Sequence, residues 1–162
     1  MGYGVRYTCP KCGFGFASSI GIGFLFPTVY QETLAKAKGG ELGPEIKEFF
    51  EEHPDGAINA ESVTLCCDEC GNLVNGKDLG MYVPTKEMPV SNENSCWSVA
   101  APQRGISCVA KWDLDEYYEK YADYPHICEK CKGHMHIVKE SETLICPKCK
   151  VHLEEIDAIK WD

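Results

Sequence analysis

Eleven cysteines occur in this sequence of 162 residues, and eight of them form four Cys-x-x-Cys pairs. A Cys-x-x-Cys turn directs both sulfurs toward one point, and two such turns can enclose a metal ion tetrahedrally with sulfur about 2.3 Å away. The sequence therefore predicts two four-thiolate metal sites. The predicted ligands are Cys9, Cys12, Cys67, Cys70, Cys128, Cys131, Cys146 and Cys149.

The residues around the sulfurs suit tight turns. Gly13 and Gly71 follow the second cysteine of the first two pairs, and glycine accepts the positive φ that such a position can require. Pro10 and Pro147 follow the first cysteine of two pairs, where proline stiffens the turn without needing a backbone donor. Each feature is present in two of the four turns.

The order of the pairs predicts two consecutive sites. In this interpretation Cys9 and Cys12 bind with Cys67 and Cys70, while the other two pairs bind together; crossed pairing between the two halves is the main alternative. A site with four sulfur ligands is closed, whereas catalytic zinc keeps a position for water. Both sites are therefore predicted to be structural.

The remaining cysteines and two histidines have predicted roles outside these sites. Cys66 is expected to be buried, and Cys96 and Cys108 are expected to be free cysteines that behave as small hydrophobic residues. His134 and His136 alternate on a predicted strand with no carboxylate at ligand spacing, which predicts solvent-exposed hairpin residues.

Two helices are predicted between the first and second cysteine pairs. One extends from Pro27 to Lys38 and is ended by Gly39 and Gly40. The other begins at about Pro44, a favourable first helical position, and ends at Glu52.

The chain after Cys70 is predicted to be a connector of loops and strands, followed by a helix and a hairpin. The strand-like pieces are 81–83, 96–100 and 106–110. The helix begins at Asp113 and is closed by Pro125, and the hairpin lies between Cys131 and Cys146.

The segment from Cys128 to Leu153 resembles the zinc-ribbon superfamily, because Cys-x-x-Cys-x-Gly-x-Met is followed by an alternating strand and by Leu-Ile-Cys-Pro-Lys-Cys. The resemblance implies two zinc ions and an α+β fold of two metal-stabilised ribbon modules with inserted and connecting helices. The expected domains are 1–112, with a helical insertion at about 13–66, and 113–162. The chain as a whole resembles small microbial zinc-ribbon proteins, which implies no particular activity.

The charge of the chain bears on its partners. Asp and Glu number 25 against 16 Lys and Arg, giving a net charge of −9, and binding to phosphate depends on clustered basic residues. A basic protein partner is therefore expected, and nucleic acid is disfavoured. A nucleic-acid-binding ribbon stays an alternative because of a possible local patch formed by Lys130, Lys132, Lys139, Lys148 and Lys150.

Three further expectations concern location and chemistry. The N-terminal residues lack the pattern of an export signal and no apolar run is long enough to span a membrane, so a cytoplasmic protein without a membrane segment is expected. No nucleophile triad, phosphate loop or open metal site is apparent, so a non-enzymatic protein is expected. Iron is the alternative metal, because the Cys-Pro-Lys-Cys turns also resemble those of rubredoxin-like electron-transfer proteins.

Overall fold

The computed structural model describes residues 2–85 and 106–161. They form two compact units of interleaved chain segments. Unit 1 comprises Met1–Gly23, Ser62–Lys77 and Pro125–Asp162, and unit 2 comprises Phe24–Glu61 and Asp78–Tyr124. The elements in chain order are β1 (Gly2–Thr8), β2 (Gly15–Gly21), α1 (Phe26–Gly39), α2 (Pro44–Glu52), β3 (Ala57–Ile58), β4 (Ser62–Cys67), β5 (Leu73–Lys77), β6 (Met81–Pro84), α3 (Lys111–Tyr117), β7 (Tyr118–Ala122), β8 (Met135–Ile137) and β9 (Glu154–Trp161).

Unit 1 is built on one sheet with the strand order β5-β4-β2-β1-β9. All of its strand pairs are antiparallel. Strand β4 has β5 along one side; β2 pairs with its first residue, Ser62, and β8 pairs with Leu65 to Cys67. Strand β9 pairs with the whole of β1 and has an irregularity between Glu155 and Asp157. The sheet thus joins the last strand of the chain to the first, and β8 to β4.

The core of unit 1 surrounds the cysteines. One cluster contains Cys9 and Cys146 with Leu73, Leu144 and Leu153. The other contains Cys67 and Cys128 with Leu65 and Met135. Four of the eight predicted ligand residues are therefore part of the apolar interior of unit 1.

Unit 2 contains the two predicted helices and a sheet with the order β3-β6-β7. Helix α1 spans the predicted residues 27–38 and ends as predicted, since Gly40 caps it with a φ of 85°. Helix α2 has the predicted bounds, from Pro44 to Glu52. It buries Ile46, Phe49 and Phe50, whose spacing of three to four residues places them on one face.

The predicted helix from Asp113 to Pro125 is wrong in its second half. Helix α3 ends at Tyr117, and Tyr118 begins β7 with an extended backbone. Residues 118–122 pair with β6 instead, where aromatic residues such as Tyr118 and Tyr121 are favourable strand formers. The predicted strand at 81–83 is confirmed as β6, whereas 106–110 is not a strand; the predicted strand at 96–100 lies outside the described residues.

The predicted hairpin between Cys131 and Cys146 is also wrong. Its first strand, β8, pairs with β4 through Met135 opposite Cys67 and Ile137 opposite Leu65. Ile145 forms a bridge with His152 on the far side of its own Cys-x-x-Cys turn. The turn from Cys146 to Cys149 is therefore closed by the residues that directly flank it.

The fold class is α+β with mostly antiparallel sheets and three helices among the described residues. The two consecutive ribbon modules are not confirmed, because unit 1 combines segments from both halves of the chain. The division into domains 1–112 and 113–162 stays a prediction. In the part of the chain that is described, no helix has the length and apolar character needed to cross a membrane.

Candidate metal centres

The four Cys-x-x-Cys turns share one backbone geometry, and we call them knuckles 1 to 4 (residues 9–14, 67–72, 128–133 and 146–151). In each, the residue after the second cysteine donates its N–H to the carbonyl of the first cysteine, at 2.9 to 3.0 Å. The first cysteine donates its own N–H to the carbonyl five residues later, at 2.8 to 3.0 Å. These two backbone hydrogen bonds thus hold both sulfurs of a knuckle on the same side of the turn.

The residue after the second cysteine has a left-handed conformation in all four knuckles. Gly13 and Gly71 have φ values of 72° and 71°, as the glycines at these positions predicted. Lys132 and Lys150 have φ values of 63° and 60°, which side chains rarely adopt. The last two turns therefore place a lysine in a conformation that costs free energy for a residue with a Cβ.

We expect Gly13→Ala to destabilise the metal-loaded protein by about 1 kcal/mol, because a Cβ disfavours the left-handed region. The matched control is Gly39→Ala at the end of α1. A Cβ at either position would meet no heavy atom within 4 Å, but only Gly13 has a positive φ. Urea unfolding should show a loss for Gly13→Ala and none for Gly39→Ala, and equal effects would contradict the backbone argument.

The knuckles meet in two groups of four cysteines. Site A contains Cys9, Cys12, Cys146 and Cys149, and site B contains Cys67, Cys70, Cys128 and Cys131. Within each site the four sulfurs all lie within 4.8 Å of one another. Each group could hold a metal ion, but the predicted consecutive pairing of knuckle 1 with 2 and of 3 with 4 is wrong.

Strand register explains the crossed pairing. In the β1/β9 pair Thr8 lies opposite Glu154, so knuckle 1 begins beside the end of knuckle 4. In the β4/β8 pair Cys67 lies opposite Met135, so knuckle 2 begins beside the end of knuckle 3. The two sites are consequently nested along the chain, with site B inside site A.

The spacing of the sulfurs fits a tetrahedral ion. Four sulfurs at about 2.3 Å from a metal lie roughly 3.8 Å from one another. In site A the Sγ–Sγ distances include 3.2 Å between Cys9 and Cys149 and 3.6 Å between Cys12 and Cys146. In site B they include 3.3 Å between Cys67 and Cys131 and 3.7 Å between Cys70 and Cys128. All of them are much longer than the disulfide bond of about 2.05 Å.

The first and second cysteines of each knuckle differ in exposure. The first ones, Cys9, Cys67, Cys128 and Cys146, are buried. Of the second ones, Cys12 and Cys131 are exposed, while Cys70 and Cys149 are half-buried. Each site thus has two ligands in the core and two toward the surface, which gives a metal ion a route of entry.

The first cysteine of each knuckle has a pKa below its ordinary value. Burial opposes ionisation of Cys9, but amide donors from Cys12 and Lys11 and the thiol of Cys149 lower the pKa of Cys9 to about 6. Contact with Cys9 raises the pKa of Cys149 to about 12. Site B is similar: the pKa of Cys67 is lowered to about 6, mainly because the amide of Cys70 donates a hydrogen bond to its sulfur. Metal binding must therefore displace protons, and metal affinity should fall as the pH falls.

Two lysines of knuckle 4 lie against other knuckles. The Lys150 ammonium donates to the carbonyl of Cys70 at 3.3 Å, and the Lys148 ammonium lies 5.7 Å from the ring centroid of Phe14. Four thiolates around a divalent ion carry a net charge of −2, which nearby ammonium groups offset. Lys148 and Lys150, two members of the possible basic patch, thus contact the metal-site turns.

His134, His136 and two carboxylates form a network beside site B. Asp68, inside knuckle 2, contacts the Nδ1 atoms of His134 at 2.7 Å and of His136 at 2.5 Å. The Nε2 atom of His136 lies 2.9 Å from Glu142. The predicted exposure is confirmed for His134, whereas His136 is half-buried. The predicted absence of a carboxylate beside them is wrong, because β4 and β8 pair and bring Asp68 across from a distant part of the sequence. The network joins knuckle 2 to the strand that follows knuckle 3.

We expect this network to be stronger at pH 6 than at pH 8. Glu142, the main cause, and Asp68 raise the pKa of His136 even though partial burial opposes this. A histidine whose pKa is higher in the folded protein than its unfolded value of about 6.5 stabilises the folded state fully below that value. This stabilisation is lost as the pH rises through the folded-state pKa. His136→Gln should therefore lower the free energy of unfolding, measured with urea, more at pH 6 than at pH 8. The difference should be less than about 1 kcal/mol because these groups are largely solvated. His152→Gln is the control, and a loss independent of pH would contradict the argument.

The other cysteines lie outside both sites. Cys66 is half-buried rather than buried, and burial raises the pKa of its thiol. Cys108 is buried as expected but is disulfide-bonded, so the prediction of a free cysteine there is wrong. Cys96 lies outside the described residues.

Comparison of the chain with protein-family models, with curated proteins and with solved structures gives no match. The geometry of sites A and B is consistent with zinc-ribbon-like sites, and this likeness rests on the positions of the cysteines and not on any related protein.

Proposed function

We propose that this is a non-enzymatic zinc protein whose two ions are structural and whose surface binds a protein partner. The main support is that each site supplies four thiolates, which complete a tetrahedral shell and leave no position for water or a substrate. Zinc suits this donor set and geometry, and iron in the same four-sulfur sites is the alternative metal.

The structural role is supported by what each site connects. Site A joins residues 134 positions apart and site B residues 58 positions apart. Each site also lies against one of the two apolar clusters of unit 1. A structural zinc ion contributes on the order of 10 to 16 kcal/mol of apparent binding free energy, which is comparable with the whole stability of a small domain. Unit 1 should therefore depend on its metals for folding.

A basic protein is the partner that the charge favours. The chain has a net charge of −9, and two four-thiolate sites would bring the total to about −13. Ile127 and Ile145, each directly before the first cysteine of a knuckle, are 55% and 46% exposed and could supply apolar contacts. Nucleic acid would need a clustered basic surface, and Lys148 and Lys150 are already engaged at the sites.

The test is the metal content per chain, measured by elemental mass spectrometry on protein purified without chelators, together with a count of reactive thiols. We expect two zinc ions and eight thiols that react only after a chelator is added. Chelation should also abolish the dispersed amide signals of unit 1. Iron in place of zinc would support electron transfer, and retention of the fold without metal would contradict a structural role.

The partner is tested separately with immobilised metal-loaded protein. We expect it to retain a basic protein that Ile127→Ser and Ile145→Ser together release, with the metal content unchanged. A labelled oligonucleotide should bind weakly at low salt, and tight binding with a steep salt dependence would instead favour the nucleic-acid alternative.

A further inference from the structure

Unit 1 has a cleft on one face of its sheet, and none of the eight predicted ligand cysteines lines it. We call it the sheet cleft; its volume is about 680 Å³. Two cross-strand rows line it: Lys160, Tyr3 and Ile20 in one, and Ala158, Val5 and Ser18 in the next. Residues 138–140, 142 and 144, from the segment before knuckle 4, line it as well. Its volume is that of a small-molecule site, within the usual range of roughly 300 to 1,000 Å³.

The lining combines apolar residues with a few polar groups. Val5, Val63, Val138 and Leu144 contribute apolar surface. Ser18 and Thr64 are each 3% exposed, and their hydroxyls contact each other at 2.5 Å. Apolar walls with few polar groups are typical of ligand sites, in which the polar groups fix the orientation of the ligand.

The charges of the cleft favour a cation. Three carboxylates line it, those of Glu140, Glu142 and Glu155, against the ammonium groups of Lys139 and Lys160. The net charge of the lining is therefore negative, like that of the chain. Glu142 is bonded to His136 and Glu140 to Tyr3, while Glu155 lies directly opposite Tyr7 in the β1/β9 pair.

The phenol of Tyr3 stays neutral in this setting, because burial, followed by the charge of Glu140, raises its pKa above the ordinary value. A neutral phenol keeps its O–H as a donor and presents a ring face that attracts cations. A carboxylate beside an aromatic ring is a combination suited to an ammonium group.

We infer that the sheet cleft binds an ammonium group carried on an apolar chain, with Glu155 and Glu140 pairing the charge, Tyr3 and Tyr7 contacting it, and Val5 and Leu144 contacting the chain. Such a group occurs in small aliphatic and aromatic amines and in the lysine side chain of a basic partner. The inference does not rest on the proposed function, because the lining comes from the sheet and its covering segment.

The test is amide NMR of the metal-loaded full chain with three matched probes. We expect 2-phenylethylamine to cause saturable shifts in β1, β9 and residues 138–144. The neutral 2-phenylethanol should bind about tenfold more weakly, the ratio expected for the loss of a charged hydrogen bond. A short peptide with one lysine is the third probe: shifts from the peptide alone identify a partner side chain, and shifts from the amine alone identify a small molecule.

The matched variants are Glu155→Gln and Glu154→Gln, which remove the same charge from adjacent residues of β9. Only Glu155 lines the cleft. We expect Glu155→Gln to weaken amine binding severalfold and Glu154→Gln to leave it unchanged, with equal metal content in both. No saturable shift from either cationic probe, equal binding of the neutral probe, or equal effects of the two variants would overturn the inference.

Discussion

Replacing Cys12 and Cys149 together with serine should remove one metal ion, whereas replacing Cys12 and Cys70 together should remove both. The reason is that Cys12 and Cys149 belong to site A, with their sulfurs 3.7 Å apart, while Cys70 belongs to site B. Loss of one thiolate leaves a three-sulfur site of much lower affinity, so one substitution is enough to empty a site.

The measurement is the metal-to-protein ratio after dialysis against a chelator of moderate affinity, which strips weakened sites only. The single variants Cys12→Ser, Cys70→Ser and Cys149→Ser should each retain one ion, and they act as controls. Consecutive pairing of the knuckles would give the reverse result, with one ion left in Cys12→Ser/Cys70→Ser and none in Cys12→Ser/Cys149→Ser. The two pairings therefore cannot be confused.

The adjacent cysteines 66 and 67 should respond in opposite ways to substitution by serine. Cys67 is 2% exposed and is a member of site B, whereas Cys66 is half-buried and belongs to neither site. Cys67→Ser should lose one metal ion and destabilise unit 1 by several kcal/mol, a substantial part of the binding free energy of a structural ion. Cys66→Ser should retain both ions and lose at most about 1 kcal/mol.

Metal content and urea unfolding of the two variants, measured in parallel, check this expectation. Each variant is the control of the other, because the substitution is the same and the positions are neighbours in β4. Equal metal loss would mean that the ligand of knuckle 2 can shift by one residue. Retention of both ions by Cys67→Ser would remove Cys67 from site B.

Local features of the fold could be predicted from the sequence. Helices α1 and α2 follow from proline at the start and apolar residues at helical spacing, with glycine at the end of α1, all within short segments. The left-handed conformation of Gly13 and Gly71 could be expected from glycine directly after the second cysteine of a turn. Lys132 and Lys150 adopt the same conformation, which no local signal indicates, since their turns are held by the rest of the site.

The pairing of the knuckles could not be predicted because long-range strand register decides it. Four similar turns offer similar ligands, and the choice depends on β9 joining β1 and β8 joining β4. The contact of Asp68 with His134 and His136 depends on the same register. For the same reason the switch from α3 to β7 escaped prediction, because β6 supplies the hydrogen-bonding partner that favours a strand over a helix.

The nesting of site B inside site A has a consequence for the order of events during synthesis. All four ligands of site B precede Cys146, so site B can be assembled while site A still lacks half of its ligands. Cys12 must wait for a partner 134 residues later, which at about 5 to 20 residues per second takes on the order of 10 s. For that interval Cys9 and Cys12 are an open thiol pair, exposed to oxidation and to capture of the wrong metal.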